Sequence, residues 1–356
     1  MRLLALVLGP TLFSASAFAQ QFTVGTATAQ RGQTAYGAID VPAGSDAGTS
    51  MPVAVVHGTR PGPVLALVAG SHGTEYASVV ALQRLLPRLD PQAIAGTVIV
   101  APLVNVPAFR AMTVHLNPVD QKNMNRLFPG DRQGTQTQRA LALVAAQVVQ
   151  PAQVVVDLHG GDMDEELRPY SYWFRGGNAA QDSASRVLAL AFGLDHIIVQ
   201  DVNLENPASR GNLSGYALSL GKTAFVAEAG RSATVLPDDV SALVEGVLNV
   251  MGALRMIERQ VRPVERPVWL DGGARAAAAE GDGMFFATVA RGSYVSEGMT
   301  IGTLTDFLGR NATDVRAPAS GVVTFIRGVP SIWATATLVN VSRVLPAPPP
   351  YRRPAP

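Results

Sequence analysis

Between residues 64 and 261 short apolar runs alternate with stretches of helical spacing. Residues 64–69 (VLALVA) are continuously apolar, the pattern of a strand covered on both faces. This run ends at Gly70-Ser71-His72-Gly73-Thr74-Glu75, and residues 76–86 then carry helical apolar spacing until Pro87. Further strands are predicted over 98–102, 154–157, 197–200 and 223–227; the third run, 154–157, leads into Leu158-His159-Gly160-Gly161 and the last ends at Glu228. Helical spacing covers 136–149, 182–192 and 238–261, the last with apolar residues at 240, 243, 247, 250, 254 and 257. Strands alternating with helices predict an α/β sheet, mixed or mostly parallel. Residues 20–62 read as β-rich and irregular, and 105–133 as a long loop rich in Asn, Pro and Asp, a length that points to function.

From Pro263 onward the helical spacing stops. Short β-like pieces separated by glycine turns run to Val344, so 20–262 and 263–345 are expected to be separate domains, the second small and all-β. The proline-rich end, 346–356, reads as a disordered tail. The start of the chain differs again. Arg2, the apolar stretch 3–8 and Ala17-Phe18-Ala19 have the layout of a secretory signal peptide over 1–19, cleaved near Ala19. The mature protein is therefore expected to be exported, periplasmic or secreted, with no membrane association after cleavage.

Composition narrows the chemistry. The chain has 356 residues, 47% hydrophobic and 15% charged, enough for a sizeable core and against wholesale disorder. A net charge of +1 with scattered arginines excludes a nucleic-acid partner, which needs clustered phosphate contacts. There is no cysteine, so disulfides, thiolate metal sites and a cysteine nucleophile are excluded. Any metal must be held by carboxylates and by some of the 5 histidines, at 57, 72, 115, 159 and 196.

His72-x-x-Glu75 lies where a buried strand gives way to a helix, a spacing that lets both side chains converge on one ion. His159 and Glu228 also follow predicted strands, and ligand sites in open α/β sheets lie beyond the carboxyl ends of strands. Two histidines and one carboxylate are the ligand set of a catalytic zinc with an open position. Glu228 is then placed to act as general base, and Asp157 to orient a ligand histidine. In the long loop, Asn125 and Arg126 could clamp a substrate carboxylate or simply border a turn. His57 and His196 are expected to be structural.

Taken in order, Gly70-Ser-His72-Gly-Thr-Glu75, Asn125-Arg126-x-Phe-Pro-Gly130, Asp157-Leu-His159-Gly-Gly and Ala227-Glu228-Ala-Gly230 resemble the succinylglutamate desuccinylase/aspartoacylase family over residues 50–260. The resemblance implies a zinc-carboxypeptidase-like mixed sheet flanked by helices, hydrolysing the amide between an acyl group and an amino acid. It also implies one zinc per chain on His72, Glu75 and His159, Glu228 as the catalytic glutamate, and Asn125 and Arg126 as the substrate-carboxylate pair. Members usually carry another Arg before the Asn-Arg motif to polarise the scissile carbonyl. Here residues 112–118 read MTVHLNP, so His115, or Arg110 a few residues earlier, is the candidate substitute. The C-terminal domain resembles a lipoyl- or biotinyl-type module, but 263–356 contain no lysine to acylate. The leading expectation is hydrolysis of an N-acyl amino acid or related small amide. An exported carboxypeptidase or cell-wall peptide amidase acting on short peptides is the alternative, and a metal-containing binding protein that has lost catalysis is a third.

Overall fold

The structure is a computed structural model and describes residues 19–354; the expected signal peptide over 1–19 lies outside the described residues except for Ala19. Ten strands make the main sheet: β1 (Gln33–Val41), β2 (Thr49–His57), β3 (Arg60–Ala69), β4 (Ala95–Ala101), β5 (Val154–His159), β6 (Tyr170–Arg175), β7 (His196–Asp201), β8 (Thr223–Glu228), β9 (Val268–Asp271) and β10 (Val344–Leu345). Their spatial order is 10-9-7-6-8-5-3-4-2-1. The central strands β8, β5, β3 and β4 are parallel, and β6 runs antiparallel to β8. The sheet is therefore mixed, as expected.

Along β3 side chains alternate between the two faces, as the period of two requires. Leu65 and Leu67 pack beneath α1 (Tyr76–Leu85), joined by Phe192 and Leu243 from two later helices. Ala66 and Val68 turn to the opposite face. That face is covered by Leu141 and Val144 of a helix over Gln136–Val144 and by Leu213 and Ala217 of another over Leu213–Ser219. The long loop is less irregular than its composition suggests. It contains a short helix, α2 (Val106–Ala111), a two-residue-per-strand hairpin and a 3-10 turn over Met124–Arg126. The remaining helices in chain order are α3 (Gln136–Val144), α4 (Ala179–Phe192), α5 (Leu213–Ser219) and α6 (Pro237–Ala253). α1 stops where Pro87 enters, because Pro cannot continue an α-helical hydrogen-bond ladder. α6 begins on Pro237 with Asp238 and Asp239 in its first turn, which favours its N-terminus. It ends at Ala253 and not at 261, since Arg255 adopts a left-handed φ of 57°.

Two expectations about the C-terminal part need correction. A seam at residue 262 does not separate the sheets. β9 extends the main sheet beside β7, and β10 pairs with β9. In exchange, Glu165–Leu167 pairs antiparallel with Gly321–Arg327 of the small β-region. The apolar cluster of Tyr170, Ile198, Leu270 and Val322 is shared by both parts. The proline-rich end is also held and not free. Arg175 donates to the Pro349 carbonyl at 2.6 Å, and the Arg352 amide donates to Asp201 at 2.9 Å. Among the described residues no helix is long and apolar enough to cross a membrane.

Candidate active site

The neighbouring parallel strands β8, β5 and β3 end at one edge of the sheet, with Glu228 in register with His159 and Leu158 with Ala69. That register brings together groups from three distant segments: His72 with Glu75, His159, and Glu228. After β3 the chain turns at Gly70 (φ 67°), and the following loop passes close under α2. At Gly73 a Cβ would lie 2.3 Å from the Thr113 carbonyl oxygen and 2.5 Å from that of Ala108, so only glycine fits. Glu75 caps α1 and does not sit on its first turn, yet it still meets His72.

The Nδ1 atoms of both predicted ligand histidines face the same carboxylate. His72 Nδ1 lies 2.6 Å from Glu75 Oε1, and His159 Nδ1 lies 2.9 Å from Oε2. All three side chains are buried, and donor atoms from each lie within 4.8 Å of one another. Burial pushes the Glu75 carboxyl up, but the charges of His159 and His72 win and hold it well below the usual range. The buried Nε2 of His72 has no hydrogen-bond partner. An N/O donor set of this composition, with both imidazoles turned inward, fits a single divalent cation. Behind it, Asp157 Oδ1 lies 3.1 Å from His159 Nε2. This leaves Nδ1 free to face a cation, the usual use of a carboxylate behind a metal-binding imidazole.

Asn125 and Arg126 separate in role. The Asn125 side chain accepts from the Leu213 amide at 2.8 Å, and its NH2 approaches His159 Nε2 at 3.0 Å and Asp157 Oδ2 at 3.4 Å. With Nε2 turned to Asp157, the bond left to that NH2 is the one to Asp157, so the Asn125 amide is engaged by Leu213 and Asp157 beside His159. Arg126 is exposed at the cavity wall, and among the described residues no acidic side chain is paired with it.

Glu228 faces the cavity and accepts a hydrogen bond from the Tyr170 hydroxyl at 3.1 Å. Burial raises its carboxyl to about 7, with His159 pulling it down and Glu75 pushing it up. His115, held at a left-handed φ of 59°, meets His72 edge-on at 5.2 Å. It contacts Asp162 at 2.8 Å, Glu165 at 3.8 Å and Asp164 at 3.9 Å. Burial opposes its charge, but the Asp162 hydrogen bond and the neighbouring carboxylates raise it to about 9. Arg110 is exposed and does not line the cavity, which leaves His115 as the cationic candidate beside the ligands. His57 bonds Thr97 at 2.8 Å and His196 bonds Asp195 at 2.8 Å, both away from the cavity.

Several groups here are missing from the sequence reading. Asp162 is wholly buried and accepts from the Thr74 amide and hydroxyl at 3.1 and 2.5 Å. The acidic run after His159-Gly-Gly, at 162 and 164–166, was the available signal. Tyr170 and the contributions of Arg327 and Trp333 carried none, because they depend on which strands neighbour β8 and on the β-region folding over the edge. Arg327 pairs with Asp164 at 2.7 Å and lies 4.9 Å from the Trp333 ring centre. Together these surfaces enclose a cavity of about 1150 Å³.

The succinylglutamate desuccinylase/aspartoacylase catalytic-domain model matches residues 61–254. A Halomonas elongata protein named N-alpha-acetyl-L-2,4-diaminobutyric acid deacetylase is 30% identical over 301 residues, covering 83% of this chain and 86% of that protein. Among solved structures, a succinylglutamate desuccinylase/aspartoacylase from Rhodobacter sphaeroides superposes with a TM-score of 0.79 at 24% identity, covering 88% of this chain and 96% of that one. A product-bound ectoine utilization protein from Ruegeria pomeroyi gives 0.79 at 22% identity, with 87% and 95% covered. These structural likenesses show the fold.

Proposed function

The chain belongs to the succinylglutamate desuccinylase/aspartoacylase family, and from that footing we propose that it hydrolyses the amide joining a small acyl group to an amino acid or related amine. The observation that carries this reading is the meeting of His72, Glu75, His159, Glu228 and Arg126 around one cavity. His72, Glu75 and His159 would hold one zinc ion. Bound to such a set, zinc supplies Lewis acidity and lowers the pKa of water toward about 7.

The protein's own groups account for the rest. Glu228 takes the proton from the attacking water and returns it to the leaving nitrogen. Tyr170 holds one oxygen of that carboxylate, keeping the other aimed at the water. Arg126, with no acidic partner among the described residues, pairs with a substrate carboxylate. His115 donates to the carbonyl oxygen as charge develops there, the task for which an arginine is absent. Asp157 acts through His159 by fixing its ring, and Asn125 acts through Asp157. The signal-like segment 1–19 supports an enzyme that meets its substrate outside the cytoplasm.

The test is amine release by the purified, zinc-loaded protein from a panel of N-acyl amino acids and short peptides, beside Glu228→Ala. Cleavage of small acyl amino acids by the wild type alone supports the proposal. Cleavage of peptides only would replace it with the peptidase reading, which the cavity volume of about 1150 Å³ keeps in the comparison.

A further inference from the structure

The cavity is far larger than the reaction at its inner end requires. An acetylated small amino acid of about ten non-hydrogen atoms displaces on the order of ten water-sized volumes of ~30 Å³ each. The cavity holds about 1150 Å³. Much of the surplus lies to one side of Glu228, along the face of the main sheet. There β8 is followed by β6, β7 and β9, three interstrand steps that span roughly 14 Å. Alternate residues of β8, β6 and β7 line the cavity here: Val226, then Tyr172 and Phe174, then Ile198 and Gln200. The Tyr172 and Phe174 rings stack at 5.4 Å, only 3° from parallel. Phe325 of the β-region lines the same trough, and Ala274, just past β9, lies at its far end.

Charge is distributed unevenly along this space. Glu75, Asp157, Asp164, Glu165 and Glu228, the acidic residues that line the cavity, all lie at the reactive end. The distal polar groups are neutral: Gln200, Asn340 and Ser342. A cationic side chain would find no carboxylate on the walls of the trough, whereas an apolar one would displace water from aromatic surface. Arg126 lines the same cavity as Tyr172, and its charge acts on that hydroxyl. In an α-amino acid the carboxylate and the side chain leave the same carbon. A side chain on that carbon can therefore enter the trough while Arg126 holds the carboxylate.

We propose that the sheet-face trough from Tyr172 to Ala274 is a specificity subsite for the amine half of the substrate, and that it selects N-acyl derivatives of amino acids with large apolar side chains. The proposal rests on the hydrolase reading only for the reacting end.

The experiment uses the zinc-loaded wild type and Ala274→Trp, a change at an exposed position that shortens the trough. Hydrolysis is followed for the N-acetyl 2-aminoalkanoates, from alanine to 2-aminodecanoate, and for the acyl-glycines from acetyl to decanoyl. Binding of the free 2-aminoalkanoates is measured by calorimetry in parallel. We expect kcat/KM to rise about threefold per methylene along the first series until the trough is full. The rise should end at a shorter chain in Ala274→Trp. Flat hydrolysis and binding across the aminoalkanoates, a preference for N-acetyl-2,4-diaminobutyrate, or a rise confined to the acyl-glycines would overturn the proposal. If nothing is hydrolysed but the free aminoalkanoates bind more tightly with length, the trough stands and the hydrolase reading fails.

Discussion

Glu228 occupies an unusual position for a carboxylate, desolvated at the end of a central strand with a tyrosine hydroxyl on one oxygen. Burial raises its carboxyl to about 7. A base works only when ionised, so activity should fall as pH drops through that value. A divalent cation in the pocket replaces the single charge of His159, which must be neutral to ligate, with a larger one, and so moves the limb to lower pH. We therefore expect log kcat/KM to lose one unit per pH unit on an acid limb at or below about pH 7, and a limb above it would contradict the assignment. Glu228→Gln should lower kcat by about 10²–10⁴-fold with zinc content unchanged by elemental analysis. Asp157→Asn should instead weaken zinc binding by roughly 10–100-fold, read by chelator competition, because it replaces the charged acceptor behind His159 with a neutral amide. These residue types were legible in the sequence, since histidines and glutamates at strand ends have few bland uses. What Asn125 does was not legible. Its place beside Arg126 suggested substrate, but the fold of Leu213 and Asp157 around it turns its amide toward Asp157.

The elements explain why those residues arrive together. Register between β3, β5 and β8 puts their last residues level, and a tight loop then carries His72 and Glu75 back over the sheet edge. That loop passes α2 so closely that a methyl group at Gly73 would overlap two carbonyl oxygens. Gly73→Ala should cost about 1–3 kcal/mol in thermal or denaturant unfolding and weaken zinc binding with it. An unaltered melting curve would show that the loop has room to shift. Strand existence was readable here because buried parallel strands are continuous apolar runs. Strand neighbours were not, since hydrogen-bond pairing leaves no mark on composition.

Over the whole molecule the small β-region is a structural part of the site. The loop after His159 continues as Glu165–Leu167 into its sheet, and Arg327 returns to pair with Asp164. Strands are exchanged in both directions, so we expect a single cooperative unfolding transition by calorimetry. A chain ended at residue 262 should be insoluble or aggregate, as it would leave β7 an open edge and uncover Tyr170 and Ile198. Recovery of that fragment as a folded monomer would refute this account of the architecture.

Sequence alone determined the sheet class and the absence of thiolate chemistry, and it singled out the candidate ligand trio and the candidate catalytic glutamate. Each is a local property: an apolar run, a missing residue type, or a reactive residue placed where a strand stops. Only the tertiary structure decided which part of the loop faces inward, that His115 and not Arg110 stands beside the ligands, and that a long apolar trough extends from the site. Those depend on surfaces brought together from distant segments, β6 with β8 and the β-region with the sheet edge, and no spacing along one chain records such a meeting.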